Sequence, residues 1–273
     1  MRFSWLISLI FLMSFGAAQA QSPRVNILLD VMQMDGLLAT ISSENVSFAD
    51  EMEQDLFPGR GGAGWQKEMR ALYDPAAMRA QLAASFEADL TDETYDQTMA
   101  FFKGAFGQKL LLSENAARAA FLDPAMESVA QENMLLLAEN DPERFALLEE
   151  FIAVNGLIDN NIMSGMNANF AFYRGLIDGN GFPYEVTEAE ALADIWSGEE
   201  QLRSETKVWL FAFLGMAYDG ISDDEMQRYI DFSASPAGKK LNRLFFDAFD
   251  ELFVALSYST GRAAARRMSG DDI

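Results

Sequence analysis

The feature that most constrains the fold of this chain is a stretch that occurs twice, 131 positions apart. Residues 90–110 read LTDETYDQTMAFFKGAFGQKL, and residues 221–241 read ISDDEMQRYIDFSASPAGKKL. The identical positions are acidic, aromatic, glycine, lysine and leucine residues at equal spacing: Asp92 and Asp223, Phe101 and Phe232, Gly107 and Gly238, Lys109 and Lys240, and Leu110 and Leu241.

The same offset continues outside this stretch. Without a gap it aligns Trp65 with Trp196 and Met32 with Met163. An internal repeat usually means that one structural unit is used more than once. The sequence therefore predicts two related multi-helix units that pack together as a helical bundle.

Helix-start signals recur along the chain, and no alternating strand pattern of useful length accompanies them. Three Asp-Pro pairs place a capping carboxylate before a proline at the first helical position, at Asp74, Asp123 and Asp141. Thr187 and Glu190 have the spacing of a capping box. Apolar periodicity predicts a helix from Val25 to about Ile41 and a last helix from Pro236 to near Met268. The fold class expected is all-α, with about ten helices.

Within the repeated stretch, the pattern predicts a helix, a break and a second helix. Thr91 and Ser222 stand at N-cap positions, and Ser222 forms a capping box with Glu225. After the break, Ser235 should cap a helix that begins at Pro236, because proline suits the first helical turn.

The residues around this break are the candidate site. They comprise aromatic, small and lysine residues: Phe101, Gly107, Lys109, Phe232, Pro236, Gly238 and Lys240. Glycine there permits close packing or a bend. The two lysines either contact a ligand or partner, or pair with local carboxylates while their stems cover apolar surface. The second interpretation is the simpler one, so the set is a candidate partner-contact or structural motif.

The repeated stretch resembles a bacterial family known as domain of unknown function 2059. The resemblance lies in the capped acidic start, the aromatic residue near the helix end, the break and the sequence Gly-x-Lys-Leu. FSASPAGKKL at residues 232–241 is the closer match, whereas residues 101–110 have Gly104-Ala105 in place of Ser-Pro. The resemblance implies an exported, all-helical domain. The resemblance implies no activity, cofactor or catalytic residue for this chain.

Composition removes several classes of function. The 273 residues include no cysteine and no histidine, which excludes disulfides, thiol catalysis, Ser-His and Cys-His nucleophiles and the usual zinc ligands. The net charge of −22 disfavours binding to nucleic acid and to anionic lipid. We expect no cofactor and no metal. A carboxylate acting as a general acid is the one catalytic device left.

The N-terminus has the pattern of a secretory signal. Arg2 is followed by an apolar run from Trp5 to Phe15 and by the small-x-small sequence Ala18-Gln19-Ala20. We predict cleavage after Ala20, a periplasmic location and no membrane span in the mature chain. The alternative, a membrane anchor, requires a longer apolar span.

Four other patterns could carry chemistry, but each has a simpler structural explanation. Pro58–Gly64 is rich in glycine like a phosphate-binding loop, but no strand precedes it, which favours a flexible connection. Asp178–Gly181 matches part of a calcium loop that lacks its terminal ligands. Met32–Met34 and Met163–Met166 could bind copper, yet methionine at such spacing usually fills a core. Glu127-Ser128 resembles the catalytic dipeptide of lytic transglycosylases in those two residues alone.

These observations divide the chain into a signal peptide at 1–20, unit one at 21–152, and unit two at 153–273 with its motif at 221–241. The missing catalytic motifs favour an exported, non-enzymatic interaction or envelope-associated module that binds an unknown protein or envelope component. The alternative is a cell-wall-active hydrolase or lyase that uses a single buried carboxylate.

Overall fold

The structure, a computed structural model, describes residues 23–270, which form helices and no strand. The helices are α1 (Pro23–Val31), α2 (Met34–Leu56), α3 (Gly62–Leu72), α4 (Pro75–Asp89), α5 (Asp92–Phe102), α6 (Ala105–Ala120), α7 (Pro124–Asn140), α8 (Pro142–Asn155), α9 (Leu157–Asp178), α10 (Glu188–Ser197), α11 (Glu199–Ala217), α12 (Asp223–Ala234) and α13 (Pro236–Met268). The prediction of an all-α bundle is confirmed, although the thirteen helices in this part of the chain exceed the ten expected. The predicted signal peptide and its cleavage site lie outside the described residues.

The predicted helix starts are confirmed by their hydrogen bonds. In each Asp-Pro pair the aspartate side chain accepts a backbone N–H of the first turn, at Asp74, Asp123 and Asp141. Thr187 with Glu190 and Ser222 with Glu225 form complete capping boxes. These contacts satisfy donors that a helix N-terminus otherwise leaves unpaired, which is why short local patterns sufficed to predict them.

The single helix predicted from Val25 to about Ile41 is wrong, because the chain breaks between α1 and α2. Gln33 takes a left-handed conformation with φ of 54°, and Gln108 of α6 donates from Nε2 to the last carbonyl of α1 at 2.8 Å. The break allows Met32 and Met34 both to be buried, whereas a straight helix would point them about 200° apart. No single helix among residues 23–270 could cross a bilayer by length and hydropathy; α1 and α2 qualify only together, bent by 72°.

The core crosses the predicted boundary between the two units. Helix α13 packs along α9 and also contacts α3, α4 and α5. Leu82 and Phe86 of α4 lie in one hydrophobic cluster with Leu244 and Leu252 of α13. A second cluster joins α6 to α8, α11 and α12. The division at residue 152 remains a prediction, and helices from both sides of it share the interior.

The repeated stretch folds alike in both places. The first helices begin directly after the equivalent caps, as α5 and α12, and the second helices begin at equivalent positions, as α6 and α13. Outside the stretch, aligned residues differ in environment. Trp65 is fully buried and Trp196 is 61% exposed, while Met32 is 6% and Met163 is 62% exposed. The repeat as a whole therefore remains a prediction.

Candidate functional site

The repeated aromatic residues meet in the interior between α5 and α12. The rings of Phe101 and Phe232 stack with centroids 4.1 Å apart and planes 16° apart. Pro236 takes the first position of α13 behind the cap of Ser235, as predicted. Because both rings are partly buried against the first core cluster, they join the two stretches by packing.

The two equivalent glycines allow each second helix to start directly against the end of the first. A Cβ atom at Gly107 would lie 2.5 Å from the carbonyl oxygen of Phe101, and one at Gly238 would overlap the carbonyl oxygen of Phe232. A side chain at either position would therefore force the two helices apart. Of the close packing and the bend that the sequence left open, the structure shows close packing at both glycines.

The two equivalent lysines have different surroundings. Lys109 Nζ lies 2.9 Å from Glu225 Oε2, and this lysine, followed by the Ser222 backbone, lowers the pKa of Glu225. Lys240 is half-buried and makes no ion pair with the described residues. Thr94 stands at the position equivalent to Glu225, so the first stretch has no carboxylate there. These placements favour a structural role for the motif, and a partner contact remains a prediction.

A cavity of about 390 Å³ lies where α2, α6, α9, α11, α12 and α13 meet. Phe245, Phe249 and Phe253 form one wall along α13, with neighbouring ring centroids 6.3 and 5.8 Å apart. Met32 and Met34, which the break after α1 turns inward, line another part. The lining is mainly apolar, as is usual for small-molecule sites.

Glu114 of α6 brings a carboxyl group to this apolar cavity. Tyr218 Oη donates to Glu114 Oε1 at 2.7 Å, and the hydroxyl of Tyr229 hydrogen-bonds to the same carboxyl group. Protein surrounds the carboxyl group, and Glu114 is among the residues that line the cavity. No cation forms an ion pair with Glu114 anywhere in residues 23–270.

The surroundings shift the proton equilibria of this cluster. Burial raises the pKa of Glu114 from 4.5 to about 7, and the hydrogen bonds from Tyr218 and Tyr229 offset part of the rise. Burial, followed by the charge of Glu114, raises the pKa of both tyrosines well above the ordinary value. Glu114 is thus the one acidic group in the described chain whose pKa is raised to near neutrality.

Three asparagines contribute polar atoms to the same cavity. Their amide nitrogens donate to backbone carbonyls, at 3.2 Å for Asn115, 2.7 Å for Asn161 and 2.9 Å for Asn242. Each of these side chains therefore still has its second N–H and its carbonyl oxygen to offer to a ligand, one donor and one acceptor.

Arg118 is the cation among the cavity residues, and its guanidinium is already engaged. It forms an ion pair with Glu44 of α2 and lies 5.2 Å from the ring centroid of Trp209. Arg118 and Asn161 also line a wider groove beside the cavity, so this is the side on which the cavity approaches the surface.

A comparison with known families finds one region of similarity. Residues 76–134 match the family model described as an uncharacterized protein conserved in bacteria, DUF2059. The DUF2059 region runs from α4 into α7 and contains both the first repeated stretch and Glu114. The expected resemblance is confirmed here, whereas a second copy at residues 221–241 lies outside the match and remains a prediction. No curated protein and no solved structure matches the chain.

The Glu127-Ser128 dipeptide, also inside the DUF2059 region, lies on the exposed side of α7 beside the wider groove. Glu127 Oε1 accepts a hydrogen bond from Gln131 at 3.1 Å, and Ser128 Oγ donates to the carbonyl of Pro124 at 3.0 Å. The serine hydroxyl is thus directed at its own helix. The carboxyl group with surroundings suited to acid chemistry is Glu114 instead.

In the glycine-rich loop, a carboxylate of the protein occupies the backbone amides that could hold a phosphate. Glu53 Oε1 accepts from the backbone N–H groups of Gly61 at 3.0 Å and Gly62 at 3.3 Å. At the C-terminal end of α9, Asp178 Oδ2 accepts a hydrogen bond from Tyr258 Oη at 2.8 Å. No cluster of three or more acidic residues suited to a metal ion occurs in the part of the chain that the structure describes.

The cluster of Glu114, Tyr218 and Tyr229 was missed from the sequence. One local signal was available, because Glu114 lies three and four positions after Leu111 and Leu110 and thus shares their buried helix face. Nothing local links this glutamate to tyrosines on other helices, since only the packing of α6 against α11 and α12 brings them together.

Proposed function

We propose that this chain is an exported, non-enzymatic binding module of the bacterial envelope, whose ligand is a small molecule that occupies the cavity beside Glu114. The observation that carries the proposal is the cavity itself. Its volume of about 390 Å³ falls within the range of roughly 300–1,000 Å³ that is usual for small-molecule sites. Its mainly apolar lining with a few convergent polar groups is also typical of such sites.

Export is proposed from the N-terminal sequence and from the family resemblance. The basic start, the apolar run and Ala18-Gln19-Ala20 support cleavage after Ala20 and a periplasmic location. N-terminal sequencing of the protein from a periplasmic extract should begin at Gln21. Recovery of the chain with Met1 intact from the membrane fraction would contradict export as a cleaved protein.

The partner class follows from charge. A net charge of −22 opposes nucleic acid and anionic membrane surfaces, which leaves a protein or a small component of the envelope as the binding partner.

Ligand binding can be tested with a neutral, apolar fluorescent reporter. We expect purified residues 21–273 to bind N-phenylnaphthylamine in a saturable way, with one molecule per chain. Ser164 lines the cavity, and Ser164→Phe should remove binding by filling it. Ser204→Phe is the matched control, because Ser204 lies on α11 and lines only the wider groove. Equal binding by both variants, with unchanged melting curves, would contradict the proposal.

A second candidate is a cell-wall-active hydrolase or lyase that uses one carboxylate, and the observation favouring it is the pKa of Glu114. A carboxylic acid with a pKa of about 7 is suited to general acid catalysis near neutral pH. The apolar lining argues for the binding role, because a glycan needs many polar contacts. Release of soluble glycan fragments from purified cell wall, lost in Glu114→Gln and retained in Glu127→Gln, would establish the enzyme instead.

A further inference from the structure

The acidic residue of the cavity wall is Glu114, which is among the residues that line it. The three lining asparagines each donate one N–H to a backbone carbonyl and can offer a ligand either a donor or an acceptor, so they do not favour one kind of ligand. Glu114 does, because a ligand that presents hydrogen-bond donors can pair with its carboxylate, whereas one that presents only acceptors leaves the carboxylate unpaired. An unpaired buried acceptor is costly, so Glu114 discriminates between the two kinds of ligand.

The charged residues around the cavity also favour a ligand that carries a positive charge. Arg118 is neutralised by Glu44 and covered on one side by Trp209. Glu114 has two tyrosine hydroxyls as partners and no cation within the described residues. A buried carboxylate without a counter-ion either takes up a proton or acquires a cation, because the unpaired charge is strongly disfavoured away from water.

The rest of the lining sets the shape of the ligand. Phe245, Phe249 and Phe253 present an aromatic wall that suits an apolar body and whose ring faces also attract a cation. At roughly 30 Å³ for each water in the liquid, the volume of about 390 Å³ corresponds to about 13 waters. A ligand of about a dozen heavy atoms fits this space.

We propose that the cavity selects a hydrophobic amine, which places its ammonium group at Glu114 and its apolar body against the phenylalanines of α13. This assignment rests on the proposed binding function and adds the chemical class of the ligand. The ammonium group supplies both the missing counter-ion and the donors for the surrounding oxygens.

Three straight-chain probes with the same number of carbon atoms and different head groups test the assignment. In calorimetric titrations of residues 21–273 at about pH 8, we expect n-octylammonium to bind about tenfold or more tightly than 1-octanol, and octanoate to bind most weakly. Glu114→Gln should reduce the affinity for octylammonium to that for octanol or below it, because the ammonium group then lacks a counter-ion, and should leave octanol binding unchanged. Glu132→Gln, an exposed substitution on α7, is the control and should keep the preference.

The pH dependence provides a second measurement. Octylammonium needs ionised Glu114, whose pKa is about 7 in the free protein, so its affinity should fall about tenfold from pH 8 to pH 6. The groups around Glu114 are Tyr218 and Tyr229, which stay protonated in this range, and Arg118, which lies one turn along α6 and also lines the cavity. Octanol binding should not change in this way.

The outcomes separate the two proposals. If the three probes bind equally well, or if octanoate binds most tightly, the amine assignment is overturned and the binding function stands. If Glu114→Gln keeps the preference for octylammonium, the assignment of Glu114 as the counter-ion is overturned. If neither the octyl probes nor N-phenylnaphthylamine binds, the binding function itself fails.

Discussion

Replacing Glu114 with glutamine should stabilise the protein at alkaline pH and leave its stability almost unchanged at acidic pH. The substitution keeps the size of the side chain and an oxygen that can accept the hydrogen bond from Tyr218. It removes the charge that the folded protein must otherwise bury when the pH rises.

The size of the effect follows from the pKa difference. The pKa of Glu114 is 4.5 when it is unperturbed and about 7 in the folded protein, so the folded chain holds the proton more tightly than the unfolded chain. The free energy of unfolding therefore falls as the pH rises from about 4.5 to about 7, and it levels off above both values. At 1.36 kcal/mol for each pH unit, the loss is about 3 kcal/mol. The glutamine variant has no such loss.

The assay is a comparison of thermal unfolding at about pH 4 and about pH 8. For a chain of this size, 1 kcal/mol corresponds to roughly 2–4 °C in Tm. We therefore expect the difference in Tm between Glu114→Gln and the native protein to be about 6–12 °C larger at pH 8 than at pH 4. Glu132→Gln is the control for general effects of removing one acidic charge.

Two results would refute this reasoning. One is a difference in Tm between variant and native protein that is the same at both pH values. The other is a glutamine variant that is less stable than the native protein at pH 8. Either would show that Glu114 is ionised in the folded protein at no cost in stability.

Three further substitutions test other parts of the structure. Tyr218→Phe removes a hydrogen bond that lowers the pKa of Glu114, so the pH midpoint of the stability loss should move upward when unfolding is followed against pH. Gly238→Ala should reduce the stability by about 1–3 kcal/mol in denaturant unfolding, because its Cβ would meet backbone, whereas Gly215→Ala on α11 has open space and should be neutral or stabilising. Lys109→Met should change the stability by less than about 1 kcal/mol, because its ion pair is partly exposed; a larger loss would show that the pair is a major structural contact.

The sequence was sufficient for features that depend on neighbouring residues. The caps at Asp74, Asp123 and Asp141 and the capping boxes at Thr187 and Ser222 form as predicted, because each requires only a side chain and the backbone within the next turn. The long last helix and the break before Pro236 follow from the same local rules. The all-α class was therefore determined before any tertiary contact was known.

The bend after α1 was not predictable in this way. The apolar pattern continues through residues 25–41, so a continuous helix was the natural expectation. The break is held by Gln108 of α6, which lies far along the chain and donates to the last carbonyl of α1. Alignment by the repeat also did not predict that Trp65 would be buried and Trp196 exposed, because burial depends on which helices cover each position.

The sequence by itself determined an acidic, all-helical chain without thiol or imidazole chemistry, and it identified the repeated break where Gly107 and Gly238 pack closely. Tertiary structure alone decided that Phe101 stacks on Phe232 and that Glu114 meets two tyrosines from other helices beside a cavity. The physical reason is the distance along the chain between the residues that determine each feature. Caps and turns are completed within a few residues, whereas the pKa of a carboxyl group and the volume of a cavity depend on distant segments that exclude water.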